Sequence, residues 1–313
     1  MRVGADMAVS TVPPLADRRL AAILLSLVAL LIFTGVDTCA KWLVQAGLPI
    51  PQVVFTRYVG HLALVLVLAF MAGEGLWRTE NRGTALLRGG ALLASTVTNF
   101  WALSYLPLAT TAAILFTSPL WVCLLSIPML GERVGPRRWM AIGVGFIGIL
   151  VVTRPLSGSA HWAMLLSLVA SVCVALYSIL TRRLAGREST ATLQFYAALI
   201  ATLGTAPLAL GDWHWPTDAP GWLALALIGV FGWGGHQLLT VAHRFAPASV
   251  LAPFVYVQIV FMTASGWIIF GDAPDGWVLA GAGIVVASGF YIWLIERQQA
   301  RRTPSAEVVE SAL

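Results

Sequence analysis

Ionisable and amide side chains inside long apolar runs are the residues of this sequence equipped for chemistry. Such groups are expensive to hold in hydrocarbon, and where they occur they face a cavity or a partner. The run LLIFTGVDTCAKW carries Asp37 and Lys41, four residues apart and so on one face of a helix. That spacing suits an ion pair near the outer end of the helix, or a gate, or a contact with a zwitterionic solute. Arg57 and His61 repeat the spacing in the next apolar run. Arg57 is placed either to tie Asp37 across helices or to bind a solute directly. His61 is of the type that titrates near neutral pH and can couple movement to protons. The first expectation is therefore an intramembrane charge pair or gate of Asp37, Lys41, Arg57 and His61.

Two further runs mix polar groups with aromatic rings: TNFWAL, with Thr98, Asn99 and Trp101, and FGWGGHQ, with Trp233, His236 and Gln237. Rings around a cavity suit the apolar part of a small solute, with a few polar groups fixing its orientation. Other chemistries lack their residues. There is no GxxxxGK[ST] phosphate loop, Lys41 is the only lysine, and no HExxH, GxSxG or CxxC occurs. Cys39, Cys123 and Cys173 lie within apolar runs and read as packing residues, not as a disulfide framework or zinc site. The carboxylates and imidazole placed outside the runs, Asp212, His214, Asp218, Asp272 and Asp275, are scattered over short turns. No metal, no cofactor and no enzymatic activity are expected. A membrane enzyme and a channel are the competing classes, but no ring of repeated charges suggests a filter.

The elements that must position these residues follow from hydropathy. Hydrophobic residues make up 58% of the 313 and charged residues 11%, with a mean hydropathy of +0.83. Soluble domains carry about 25% charged residues, so lipid must cover this surface. Runs of about 17 to 25 apolar residues can cross a bilayer as helices. Ten are expected: Leu20–Val36, Val53–Ala72, Arg88–Tyr105, Thr110–Leu130 and Trp139–Val152, then Ala163–Leu180, Thr190–Leu210, Trp222–Leu239, Ser249–Phe270 and Trp277–Ile295. Pro107 separates the third from the fourth, since proline breaks the helical ladder. With a cytoplasmic N-terminus, all Lys and Arg but Lys41, Arg57 and Arg154 fall on the cytoplasmic side. The positive-inside rule then places both termini in the cytoplasm. The net charge of +5 reflects those loops, and no nucleic acid is implied. Residues 1–19 read as a cytoplasmic segment and residues 296–313 as a disordered tail.

The two halves echo each other. PLATTAAILFTSPLW, starting at Pro107, has a counterpart in APASVLAPFVYVQIV, starting at Ala246; Ala109 matches Ala248, an offset of 139 residues. GERVGPRRW, from Gly131, corresponds to GDAPDGW, from Gly271. Residues 20–153 and 161–295 thus form two five-helix repeats. Five is odd, so the second enters the membrane inverted, an architecture that places a site at the midplane. The expected fold is an all-α integral membrane protein of ten transmembrane helices, two inverted five-helix repeats around a central cavity. The offset aligns Thr98 with Gln237, giving both halves polar groups at comparable depth. Small residues at helical spacing, Ala141 with Gly145 and Gly283 with Ala287, allow close helix contact. Pro107, Pro119, Pro247 and Pro253 fall at or inside spans and mark candidate flexing points.

These runs, with NFWALSYLPLATTAAILFTSPLW and GERVGPRRWMAIGVGFIGILVV foremost, resemble the EamA family of the drug/metabolite transporter superfamily. The resemblance covers about Leu20 to Arg297. It implies alternating-access transport of a small metabolite in a bacterial inner membrane, by a monomer in contact only with solute and lipid. Amino-acid export is the implied activity, with uptake of S-adenosylmethionine, riboflavin or a similar metabolite as the alternative. It also implies that the third, fourth, eighth and ninth helices line the cavity, which adds Thr117, Ser118, Tyr256 and Gln258 to Thr98, Asn99, Trp101, His236 and Gln237. Tyr177, on the sixth helix, joins them.

Overall fold

The computed structural model describes residues 15–73, 75–76, 79–131, 135–154, 161–184, 187–245 and 251–302. Among them every regular element is helical. In hydrocarbon each backbone N–H and C=O must be satisfied internally, and a helix does this within one segment. The elements are α1 (Leu15–Gln45), α2 (Ile50–Ala72), α3 (Arg82–Leu103), α4 (Leu108–Leu115), α5 (Ser118–Leu130), α6 (Pro136–Thr153), α7 (Ala163–Leu184), α8 (Thr190–Gly211), α9 (Ala219–Phe245), α10 (Val257–Phe270) and α11 (Gly276–Arg302). A 3-10 turn, Ala252–Tyr256, leads into α10.

Seven stretches are long and apolar enough to cross a membrane, α4 and α5 counting together as Leu108–Met129. Trp139–Thr153 and Phe254–Phe270 are shorter apolar helices, and α3 is the tenth rod. Phe70 is 89% exposed, Met71 76% and Ile268 79%, an apolar surface that fits lipid and not water.

Several boundaries differ from the expected spans. The first helix does not stop at Val36 but runs to Gln45, so Asp37 and Lys41 are helical. Their side chains find tertiary partners, which removes the reason for the helix to end there. The chain instead turns at Gly47, whose φ of 92° is left-handed. α3 begins at Arg82, which places Arg88 two turns inside the helix. The fourth and ninth spans are interrupted, at Phe116–Thr117 just before Pro119, and by the 3-10 turn. Pro107 opens α4 as expected. α11 continues through Glu296 to Arg302, so the first part of the expected tail is helical. Residues 303–313, Arg78, Arg133, Pro247, Ala248 and Ser249 lie outside the described residues.

The packing alternates between the halves. α1 lies along α9, α3 along α7, α2 along α8 and α6 along α11. Where α2 crosses α9 the backbones touch: a Cβ on Gly60 would sit 2.9 Å from Gly229 Cα, and only glycine permits this approach. On the α6–α11 seam Ser288 Oγ donates to Ala141 O at 2.6 Å, while Gly148 rests on the Gly281 carbonyl. A shift of 140 residues exchanges Ala141 for Gly281 and Gly148 for Ser288, so the seam reads alike from either helix. The small residues there close an intramolecular seam, whereas Gly283 and Ala287 face outward.

The loops collect at two ends. One, the Lys41 end, carries the α1–α2, α3–α4, α8–α9 and α10–α11 connections; the other, the Glu188 end, carries α2–α3 and α7–α8.

Candidate functional site

α1, α2, α3, α8 and α9 meet in a polar layer within the apolar bundle. Asn99 Nδ2 donates to Asp37 Oδ1 at 2.9 Å. Arg57 Nη1 donates to Thr96 Oγ1 at 2.9 Å, and the Tyr58 hydroxyl lies 2.8 Å from the same oxygen. Thr96 gives its one proton to Leu92 O, so Arg57 and Tyr58 both donate to it. The guanidinium lies 5.1 Å from the Tyr58 ring centroid and 5.5 Å from that of Phe100, an arrangement that favours a cation. A Cβ on Gly232 would fall 3.3 Å from Arg57 Nε, so α9 packs its backbone directly on the charge.

Deeper along α2, His61 Nε2 is 3.3 Å from Gln194 Oε1, and Gln194 Nε2 donates to Gln237 Oε1 at 3.4 Å. The His236 ring meets Phe33 edge-on at 4.9 Å and lies 5.9 Å from His61. Arg88 holds α3, α7 and α8 together. Its Nε donates to Thr181 Oγ1 (2.7 Å), Nη1 to Leu193 O (3.0 Å) and Nη2 to the Tyr177 hydroxyl (2.6 Å). Arg57 Nε, His61 Nδ1 and Asn99 Oδ1 are buried and make no hydrogen bond among the described residues. Among the described residues no cluster of three His, Cys, Asp or Glu side chains can hold a metal ion.

The expected charge pairing is not what forms. Among the described residues no ion pair joins Asp37 to Lys41 or to Arg57. Lys41 Nζ instead meets Asp272 Oδ2 at 2.5 Å and donates to Leu106 O at 3.2 Å, at the end of the bundle. Spacing along one helix put Asp37 and Lys41 on a common face, but the α10–α11 loop brings a better-placed carboxylate to Lys41, and Asn99 claims Asp37.

Of the expected solute-contacting residues, Asn99, His236 and Gln237 stand in the layer, and Tyr177 adjoins it through Arg88. Thr98 and Trp101 do not. They lie on the opposite face of α3: the Thr98 hydroxyl donates to its own helix at Ala94 O, and Trp101 is 44% exposed against Trp162. The buried stripe of α3 runs Arg88, Leu92, Thr96, Asn99 and Leu103, one helical step out of phase with the reading that chose Thr98. Thr117 is fully buried at the α4–α5 break, its hydroxyl donating to Ile114 O at 2.6 Å and lying 3.2 Å from Ser171 Oγ, with half-buried Ser118 beside it. Tyr256 packs on Phe116 and presses its hydroxyl against Gly289 of α11. Gln258 is buried on the first turn of α10. Tyr58, Thr96, Arg88, Thr181 and Gln194 were missed. Arg88 read as a loop charge; its position three and four residues from other stripe members was the available signal.

A layer of this kind in a ten-rod bundle is what family comparison explains. The sequence profile described as the EamA-like transporter family matches residues 20–154 and again residues 161–294. The chain belongs to this family. It is a multi-pass membrane protein of the drug/metabolite transporter superfamily, and the family's activity is movement of small metabolites, not enzymatic turnover. The EamA-like chain is 32% identical, over 88% of its length and 94% of the relative's, to the riboflavin transporter of Vibrio cholerae serotype O1. It is 30% identical to the pseudopaline exporter CntI of Pseudomonas aeruginosa (85% and 93%). It is 26% identical to the S-adenosylmethionine uptake transporter of Rickettsia bellii (79% and 84%). A solved crystal structure, 20% identical, superposes with a TM-score of 0.60 over 89% of this chain and 98% of the other, which establishes the likeness of fold.

Proposed function

We propose that the protein is a secondary transporter of a bacterial inner membrane, with both termini cytoplasmic, working by alternating access between two inverted five-helix halves. The reciprocal α6–α11 seam and the one-sided distribution of arginines support that architecture. Its solute is a small metabolite bearing an amine and a carboxylate, an amino acid or a larger derivative, exported from the cytoplasm. The observation that carries the reading is the set of unsatisfied atoms around Asp37. Arg57 Nε–H suits a carboxylate, while Asp37 and Asn99 Oδ1 suit an ammonium group. Buried polar atoms left without partners are the exception in proteins, and a solute seated beside Asp37 would satisfy Arg57 Nε–H and Asn99 Oδ1.

A second reading is uptake of a flat heteroaromatic metabolite, in keeping with the relatives named for riboflavin and S-adenosylmethionine. The row of rings Tyr58, His61, His236 and Phe33 favours it. Uptake into proteoliposomes containing the purified protein, with labelled amino acids, S-adenosylmethionine and riboflavin, separates the two. The flux is read with and without a pH gradient, which tests the expectation that His61 couples movement to protons. Saturable movement of amino acids supports the first reading; movement of the larger compounds alone replaces it with the second. Movement of none reopens the channel and membrane-enzyme classes.

A further inference from the structure

The charges of the polar layer do not balance. Lys41 is matched by Asp272 at the end of the bundle. Within the layer Asp37, Arg57 and Arg88 are each at least nine-tenths buried, one carboxylate against two guanidinium groups. Among the described residues Arg88 is held only by neutral acceptors: the Thr181 hydroxyl, the Leu193 carbonyl and the Tyr177 hydroxyl. Three of its five N–H groups are used, which leaves one on each terminal nitrogen. Arg57 donates to Thr96 alone, and its Nε is unsatisfied. Asp37, the one buried acid in the layer among the described residues, is already engaged by Asn99.

A buried cation without a counter-charge is strongly disfavoured in a low-dielectric interior. Three hydrogen bonds to neutral groups orient the Arg88 guanidinium but do not cancel its charge. A solute carrying one more acidic than basic group cancels it on entering the layer, and forms the charge-assisted bonds that neutral partners cannot. We infer that the solute carried through this layer is a net anion, with a carboxylate or other acid group held by Arg57 and Arg88. The inference rests on the transport reading above and narrows it to the acidic members of the solute class.

Proteoliposomes of the full chain, offered matched labelled pairs that differ by one charge, glutamate with glutamine and aspartate with asparagine, read the preference directly. The acidic member should move at least about ten-fold faster than its amide at equal concentration, the factor expected for one charge-assisted bond. A potential set positive on the receiving side by a potassium gradient with valinomycin should speed it and leave the amide unaffected. Both readouts use the wild-type protein. Arg88→Gln should reduce the acid-to-amide ratio to near one while Arg88→Lys retains most of it; a purely structural tie would lower both fluxes together and leave the ratio unchanged. Equal movement of acid and amide, or insensitivity of the acid to potential, overturns the inference while the transport reading stands. Movement of none of the four overturns both for amino acids.

Discussion

The two ends of the bundle are closed by different physics. At the Lys41 end one tie is a charge pair with a buried lysine, and the pairs Lys41–Asp272, Gln52–His214 and Arg154–Asp275 join opposite halves. Lys41, 3% exposed, holds Asp272 and the Leu106 carbonyl beneath the Phe270 ring. Gln52 and the His214 backbone exchange hydrogen bonds in both directions at 2.5 and 2.9 Å, and Arg154 pairs with Asp275. At the Glu188 end the ties nearest the loops are part-exposed or exposed. Glu188 accepts from the Thr79 hydroxyl at 2.6 Å and from the Asn81 amides at 3.3 Å, and exposed Arg183 donates to the Met129 carbonyl. Water competes for every partner there, so those bonds break and reform at little net change. An end closed by desolvated charge resists opening until something replaces the charge; an end closed by solvated bonds does not.

The largest effect that tests this contrast is Asp272→Asn. It leaves the Lys41 ammonium buried without a counter-charge, and should destabilise the protein by about 3 kcal/mol. The melting temperature in detergent should fall, and adding Lys41→Met should recover most of the loss. A drop no larger than that of a change at Glu188 would erase the distinction between the ends. Next is Gly229→Val, at the crossing that neither end touches. Its Cβ would meet Gly60 Cα at 2.8 Å, forcing α2 and α9 apart at about 2 kcal/mol, measured by the same melting experiment.

Within the layer, Gln237→Ala removes the Gln194 partner and should lower flux about ten-fold, the consequence of one lost hydrogen bond to the site. Trp101→Ala, on the exposed face of α3, should leave flux within about two-fold. The reverse order would return the site to the Trp101 face. The smallest effect belongs to Glu188. Bonds from Thr79, and secondarily Asn81, hold its carboxyl below the ordinary 4.5, so its contribution is present above that value and lost as pH falls through the lowered one. Glu188→Gln should therefore melt slightly below wild type at neutral pH and merge with it in acid.

The number of rods was legible because bilayer thickness fixes the length of an apolar run. The repeat showed in loop chemistry as well: Gly131 and Gly271, aligned from sequence, both end their helices in left-handed caps, with φ of 69° and 71°. Helix ends were less legible. Asp37 and Lys41 looked like the border of a helix that in fact runs more than two turns past Val36, because a polar residue ends a span only when nothing in the fold receives it. The site was half legible. Residue type singled out Asp37, Arg57, His61, Asn99 and Gln237, but which face of α3 turns inward depends on where α7 and α8 pack, so Thr96 was passed over for Thr98. Arg88 escaped for a related reason. By charge alone a buried arginine two turns into a helix looks the same as one in the loop before it.

Lys41 is the only lysine in the chain, and it sits behind Asp272. An amine-directed reagent that ignores arginine therefore finds one internal target, shielded while this end is shut. The rate at which it is modified, with and without a candidate solute, clocks how often the end opens, and requires no added cysteine, fluorophore or tag.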